Sequence, residues 1–214
     1  MKHITIIIPT RNRFPKLKRA LDSILNVKNV DIIVVCDGDE STYKNLSAKS
    51  FEDIKRILIP KHKGSVYCRN YAMQNVKDGV LCFCDDTTFR SNAVDIALKE
   101  FNRYFPDDDG VLGLRQNHQH HPAGITLIGQ KFLNRYPDRQ VFNPQYNLFA
   151  CQEIEWLATH YGKFQMSKDI LVNHYHPCFY PNEKDKTHIE GRITKNKDMR
   201  LIQERKQKGL IWGL

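Results

Sequence analysis

The chain lacks any Cys-x-x-Cys pair: its six cysteines, at positions 36, 68, 82, 84, 151 and 178, are scattered. Four of them sit in or beside apolar segments, as reduced buried thiols do, which excludes a disulfide knot and leads us to expect a cytoplasmic compartment. No apolar run approaches the roughly 20 residues that cross a bilayer. The runs at 4–8 and 31–36 are short, and the first stops at Pro9 and passes into basic residues without the small-residue cleavage site of a secretory signal. A membrane-spanning helix and a leader peptide are therefore not expected. Nor is there a G-x-G-x-x-G after the first apolar run or a G-x-x-x-x-G-K-[ST] anywhere, which argues against a Rossmann dehydrogenase and a P-loop enzyme. Internal repeats and low-complexity linkers are also missing, and 214 residues suit one domain, or one domain with an appendage, with ample length for a core.

What is present is positive charge at both ends. The formal net charge is +9; residues 1–20 carry six basic and no acidic groups, and residues 183–214 carry nine basic and five acidic ones. Such clusters favour a polyanionic partner: nucleotide phosphates, nucleic acid or an anionic surface. Residues 4–8, 31–36, 54–59 and 80–84 are β-branched or apolar runs bounded by Pro, Gly, Asp and Lys, the pattern of buried strands, and helix-compatible stretches lie between them. This alternation predicts an α/β fold with a mainly parallel central sheet, helices on both faces, and a ligand beyond the carboxyl ends of the strands. Further on, a helix is expected over 93–105, a strand over 111–114, a His-rich loop over 117–122, a strand or turn at 125–128, a short helix near 130–136 and a polar loop over 137–147. Glu153, Trp156, Leu157 and His160 share one helical face. We divide the chain into a domain over 1–182 and a basic, helical extension over 183–214, whose Ile189, Ile193, Met199, Leu201 and Ile202 are expected to pack on the domain or on a second subunit in a homo-oligomer.

Polar residues collect where the strands end: Thr10, Arg11, Asn12 and Arg13 after the first, Asp37 and Asp39 after the second, Asp85 and Asp86 after the fourth. Asp37-Gly38-Asp39 is compatible with a turn or cap and, equally, with a carboxylate reaching a base or ribose. Adjacent carboxylates at Asp85-Asp86 repel unless water, a basic side chain or a hard divalent cation relieves them, and oxygen ligands suit Mg²⁺ or Mn²⁺. An extended 172–176 segment projects His174 and His176 together. His118, His120 and His121 have no cysteine pair nearby and precede Pro122, so a loop facing an acceptor is expected there in preference to a zinc site.

PTRNR, VVCDGDE, KGSVYCRNYAMQNVKDGVLCFCDD, QEIEW and VNHYHP, in this order over roughly residues 4–177, resemble the family 2 type of GT-A glycosyltransferases. That resemblance implies a nucleotide-sugar-dependent transferase. Pro9, Thr10, Arg11 and Asn12 map to the loop on the nucleotide, Asp37 to the acid holding uracil or ribose with Asp39 next to it, and Gly64, Arg69 and Asn70 to the segment before the fourth strand. The family's Asp-x-Asp falls on Asp85, Asp86 and Thr87. Thr87 departs from it, so either Asp86 or Asp85 holds the cation, joined by His174 or, as backup, His176, or metal binding is weakened. Glu153 matches the family's general base, with Glu155 as second choice.

The resulting expectation is an inverting, metal-dependent transferase that uses Mn²⁺ or Mg²⁺ and moves a sugar from a nucleoside-diphosphate sugar, UDP-linked by preference, to a hydroxyl of a saccharide, a lipid-linked sugar or a modified DNA base. Its alternative is a non-catalytic GT-A-like module that binds a nucleotide or nucleic acid. A sugar-1-phosphate nucleotidyltransferase shares the layout but places a Gly-rich loop where this chain has PTRNRF.

Overall fold

The computed structural model describes residues 1–118 and 121–214. Its elements are β1 (Ile4–Thr10), α1 (Phe14–Asp22), β2 (Val30–Asp37), α2 (Glu40–Asn45), β3 (Ile54–Ile59), α3 (Ser65–Met73), β4 (Gly79–Cys82), β5 (Thr87–Phe89), α4 (Ala93–Tyr104), β6 (Val111–Gln116), β7 (Thr126–Ile128), α5 (Gln130–Leu133), α6 (Cys151–His160), β8 (Phe164–His174), α7 (Lys186–Gly191) and α8 (Lys195–Gln207). The strands form one sheet in the order β3-β2-β1-β4-β7-β6-β8-β5. Its β3-β2-β1-β4 half and the β6-β8 pair are parallel; β4-β7, β6-β7 and β5-β8 are antiparallel. The sheet is thus mixed with a parallel majority.

Every residue of β1 is buried, because both faces of the sheet are covered. Ile4, Ile6 and Ile8 join one core with Val34, Leu81 and the α1 residues Leu17 and Leu21. Ile7 joins the other with Val35, Val80 and the α3 and α6 residues Met73 and Ile154. The period of two along each strand therefore feeds two cores, one per face. Among the described residues no helix is long and apolar enough to cross a membrane.

Two connections fix the position of the functional groups. β1 has β2 on one side and β4 on the other, so the carboxyl ends of β1 and β4 flank the point where strand order reverses, the place where open α/β sheets bind ligands. Beyond β4 the chain turns through Phe83, Cys84, Asp85 and Asp86 and crosses to β5 at the far edge, beside β8. The long β8, whose His174 lies opposite Thr87 of β5, was not anticipated as far back as residue 164, because QMSKDI alternates poorly.

The extension folds back on the domain. Ile202 is buried and Leu201 packs against the α6 side core, so these two meet the domain as expected, whereas Ile189, Ile193 and Met199 are exposed on the single chain. Asp198 is fully buried, and its Oδ2 accepts hydrogen bonds from the backbone N–H groups of Asn147 (3.1 Å) and Leu148 (2.8 Å).

Gly38 turns the chain directly after β2 at φ +65°, and a Cβ there would stand 2.9 Å from the backbone nitrogen of His62. Gly38→Ala should therefore cost more than the roughly 1–2 kcal/mol of left-handed strain alone, read as a lowered urea midpoint with an unchanged m-value.

Candidate active site

The Asp85-Asp86 pair is buried, and its charge is met from several directions. Thr10 Oγ1, at the end of β1, donates to Asp85 Oδ2 (2.9 Å), and Arg13 Nη1 donates to Asp85 Oδ1 (3.1 Å) while lying 4.0 Å from Asp86 Oδ2. Burial pushes the Asp85 carboxyl above its ordinary pKa, with Arg13 acting against that rise. Burial opposes ionisation of Asp86 too, but the imidazoles of His174 and His188 beside it hold its carboxyl well below the usual range. Asp86 Oδ1 faces His174 Nε2 (3.5 Å) and Oδ2 faces His188 Nε2 (3.3 Å). The ring of His176 stands beside both imidazoles, with centroids 5.4 Å from His174 and 5.7 Å from His188.

At the end of β2 the two acids have different partners. Asp37 is enclosed by the next loop: Oδ1 accepts from Lys63 N–H (2.7 Å), and Oδ2 lies 2.9 Å from Gly64 N and 2.6 Å from His62 Nδ1. Gly64 is left-handed, at φ +90°, which lets its N–H turn to the carboxylate. Asp39 caps α2 through Thr42 N–H (3.0 Å) and accepts from Asn12 N–H (2.6 Å), so it ties the loop after β1 to the end of β2. Pro9 is buried inside β1. Arg11 pairs with Glu190 of α7 at 3.1 Å.

Two residues assigned to the nucleotide perform other work. Asn70 donates to Phe142 O (2.7 Å) and accepts from Phe142 N–H (3.0 Å), clamping the 140s loop onto α3. Arg69 Nη2 donates to Phe83 O (3.2 Å) and contacts Cys84 Sγ (3.2 Å), bracing the turn that carries Asp85.

Glu153, the first choice for general base, is 1% exposed and saturated with donors. Arg205 Nε and Nη2 (2.6 and 2.9 Å), Tyr146 Oη (2.7 Å), Asn143 Nδ2 (3.2 Å) and the backbone N–H of Trp212 (2.6 Å) all point at it. It locks the extension to α6 and has no lone pair to take a substrate proton. Glu155, the second choice, is partly exposed beside His121 Nε2 at 3.1 Å, and burial raises its pKa. His121 itself is pushed down to about 4 by burial. His118 stacks on Phe179 (4.4 Å). His120 lies outside the described residues.

Arg13, His188 and Asp185 were missed as site residues. Arg13 Nη2 reaches Asp185 Oδ1 (2.9 Å) and His188 Nδ1 (2.6 Å); Lys16 Nζ reaches Asp185 Oδ2 (2.7 Å) and Glu183 Oε2 (3.3 Å); Arg19 Nη1 reaches Glu183 Oε1 (2.7 Å). The basic cluster after β1, read as a magnet for an outside polyanion, is paired with acids of the extension. Glu183, Asp185 and Glu190 on either side of THI were the signal for this: three acids within eight residues of an otherwise basic tail.

Among the described residues no three acidic, imidazole or thiol groups are gathered at metal-ligand geometry. Two donors nevertheless fit a divalent cation. His174 Nδ1 lies 2.7 Å from Gln116 Oε1, an acceptor, so it carries the N–H there and turns the Nε2 lone pair toward Asp86 Oδ1. Two electron-rich atoms then face each other, a conflict that a second proton or a cation removes, and the ring orientation set by an outer hydrogen bond is that of a ligating histidine. Asp85, by contrast, spends both oxygens on Thr10 and Arg13.

Compared with known families, the chain matches the one described as Glycosyl transferase family 2 over residues 5–154. Glycosyltransferase GlyA of Streptococcus pneumoniae is 26% identical over 161 residues, 72% of this chain and 23% of that protein. Of solved structures, S. aureus TarS 1-349 in complex with UDP superposes with a TM-score of 0.65 at 14% identity, covering 80% of this chain and 60% of the other. The mannosyltransferase PcManGT from Pyrobaculum calidifontis, in complex with GDP-Man and Mn²⁺, gives 0.63 at 15% identity, covering 80% and 56%. The chain thus spans about a quarter of the curated relative and about three fifths of these structures, whose likeness shows the fold.

Arg205→Ala leaves the Glu153 carboxylate buried without its cation, which should cost about 3–5 kcal/mol. Thermal melting should show a large loss for Arg205→Ala, and a melting temperature like that of the unaltered chain for Glu155→Gln.

Proposed function

This chain belongs to glycosyl transferase family 2, and from that premise we propose that it moves a sugar from a nucleoside-diphosphate sugar, UDP-linked, to an acceptor hydroxyl with inversion at the anomeric carbon. The observation that carries this reading is the convergence of Thr10, Arg13, Asp37, Asp39, Asp85 and Asp86 on the carboxyl ends of β1, β2 and β4. The TarS complexes with UDP and UDP-GlcNAc and the PcManGT complex with GDP-Man and Mn²⁺ support the donor class and the cation.

In this reading the end of β2, with the 62–64 loop, receives the nucleoside. Asp86 Oδ1 and His174 Nε2 would hold Mn²⁺ or Mg²⁺, ions that accept such oxygen and imidazole donors. The cation supplies charge neutralisation for the departing diphosphate. Arg13 faces the same place and adds fixed positive charge. Glu155 takes the proton of the acceptor hydroxyl as its oxygen forms the bond to the anomeric carbon; the bond to the diphosphate breaks with the electron pair leaving on the phosphate oxygen. A single displacement of this kind inverts the centre.

A saccharide acceptor is favoured over DNA, because Arg11, Arg13, Lys16 and Arg19 already meet acids of the extension and leave little of the N-terminal charge for a phosphate backbone. Retention on duplex DNA with a steep salt dependence would contradict that choice.

Glu155→Gln should lower turnover by about 10²–10⁴-fold, and Asp86→Asn should lower both turnover and Mn²⁺-dependent binding of UDP, each in a folded protein. Because burial raises the Glu155 pKa, the working carboxylate is lost as pH falls through that raised value. Turnover should therefore decline on the acid side at a pH above the ordinary glutamate range, and Glu155→Gln should remove that limb. UDP binding without turnover of any nucleotide sugar would instead support a non-catalytic binding module.

A further inference from the structure

The acidic stretch of the extension does more than neutralise the loop after β1: it carries an imidazole to the one carboxylate with an oxygen turned toward His174. Thr187 Oγ1 donates to Arg11 O (2.9 Å), Glu190 pairs with Arg11 (3.1 Å), and Asp185 bridges Arg13 and Lys16 (2.9 and 2.7 Å). Asp185 Oδ1 also accepts the backbone N–H of His188 (2.9 Å). The side chain of His188 is 14% exposed.

Its tautomer follows from its neighbours. Two groups face Nδ1: Asp185 Oδ1 at 3.0 Å, which already accepts from Arg13 Nη2 and from the His188 backbone N–H, and Arg13 Nη2 at 2.6 Å, the nearer of the two and able only to donate; with Arg13 donating, Nδ1 accepts and the ring hydrogen sits on Nε2. That N–H points at Asp86 Oδ2, 3.3 Å away. Asp86 is therefore engaged on one oxygen by His188 and turned with the other toward His174.

We propose that His188 is a positioning residue: its Nε2–H ties down Oδ2 of Asp86 and so presents Oδ1 as a one-oxygen ligand for the divalent cation. Residues 183–190, which lie beyond the family match at 5–154, are on this view a working wall of the active site. The inference rests on the proposed transferase reading, since it concerns the cation that reading requires. A donor that orients a ligating carboxylate costs about 10–100-fold in metal affinity when removed.

The test uses two amides that differ by one methylene. His188→Gln extends an N–H donor to the place of Nε2; His188→Asn reaches only the place of Nδ1, keeping a polar group for Arg13 and losing the bond to Asp86. Mn²⁺ affinity of the full chain is measured from the free-ion paramagnetic resonance signal, with and without UDP, alongside melting curves taken without metal. His188→Asn should weaken Mn²⁺ binding by about tenfold or more, while His188→Gln keeps most of it and all three proteins melt alike without metal. Equal affinity in all three proteins, or equal weakening in both variants, overturns the proposal while leaving the transferase reading intact. A wild-type chain that binds neither Mn²⁺ nor UDP removes both.

Discussion

Two adjacent carboxylates buried at a strand end need an external supply of positive charge, and most of the polar architecture of this protein answers that need. Burial alone drives both carboxyls toward the neutral form. Arg13 and Thr10 take Asp85, and the imidazoles of His174 and His188 take Asp86, so the pair divides into a neutralised, structural member and an ionised one. Arg13, nearly buried itself, is held by acids on two sides: Asp85 from the turn after β4 and Asp185 from the extension. Removing either side leaves a charge with too few partners in a poorly solvated place, and this is why the tail and the centre of the sheet are coupled.

The extension is fastened at two separate points. At one, Glu183, Asp185 and Glu190 meet the basic loop after β1. At the other, Arg205 and the Trp212 backbone close on Glu153. Both contacts pair unlike charges across more than fifty residues of sequence; the first is half-buried, and the second is shielded from water, where such pairs are screened least. They also account for a basic chain whose N-terminal cluster is not available as a single cationic surface.

Strand periodicity, turn residues and the order of polar strand ends made the parallel half of the sheet legible, because each of those signals is local. The meeting of Thr10 with Asp85 follows from topology once β1 and β4 are adjacent. What was not legible depends on contacts between distant segments. Glu153 and Glu155 are two residues apart on one helix, and nothing nearby in sequence says that Arg205 claims the first. Asn70 looks like a ligand-binding amide until its two hydrogen bonds to Phe142 are seen. His188 carries no motif, and its place at Asp86 is set by Asp185, Thr187 and Glu190, whose partners Arg13 and Arg11 lie more than 170 residues away in sequence.

The central claim is that Asp86, oriented from two sides by histidines, carries the cation that meets the sugar donor's diphosphate. A crystal grown with UDP and Mn²⁺, with data collected at the manganese absorption edge, tests it most directly. One anomalous peak is expected at bonding distance from Asp86 Oδ1 and His174 Nε2, with the diphosphate beside it and the uracil beside Asp37. Ordered UDP with the manganese away from Asp86, or UDP bound outside the β1, β2 and β4 ends, would contradict it.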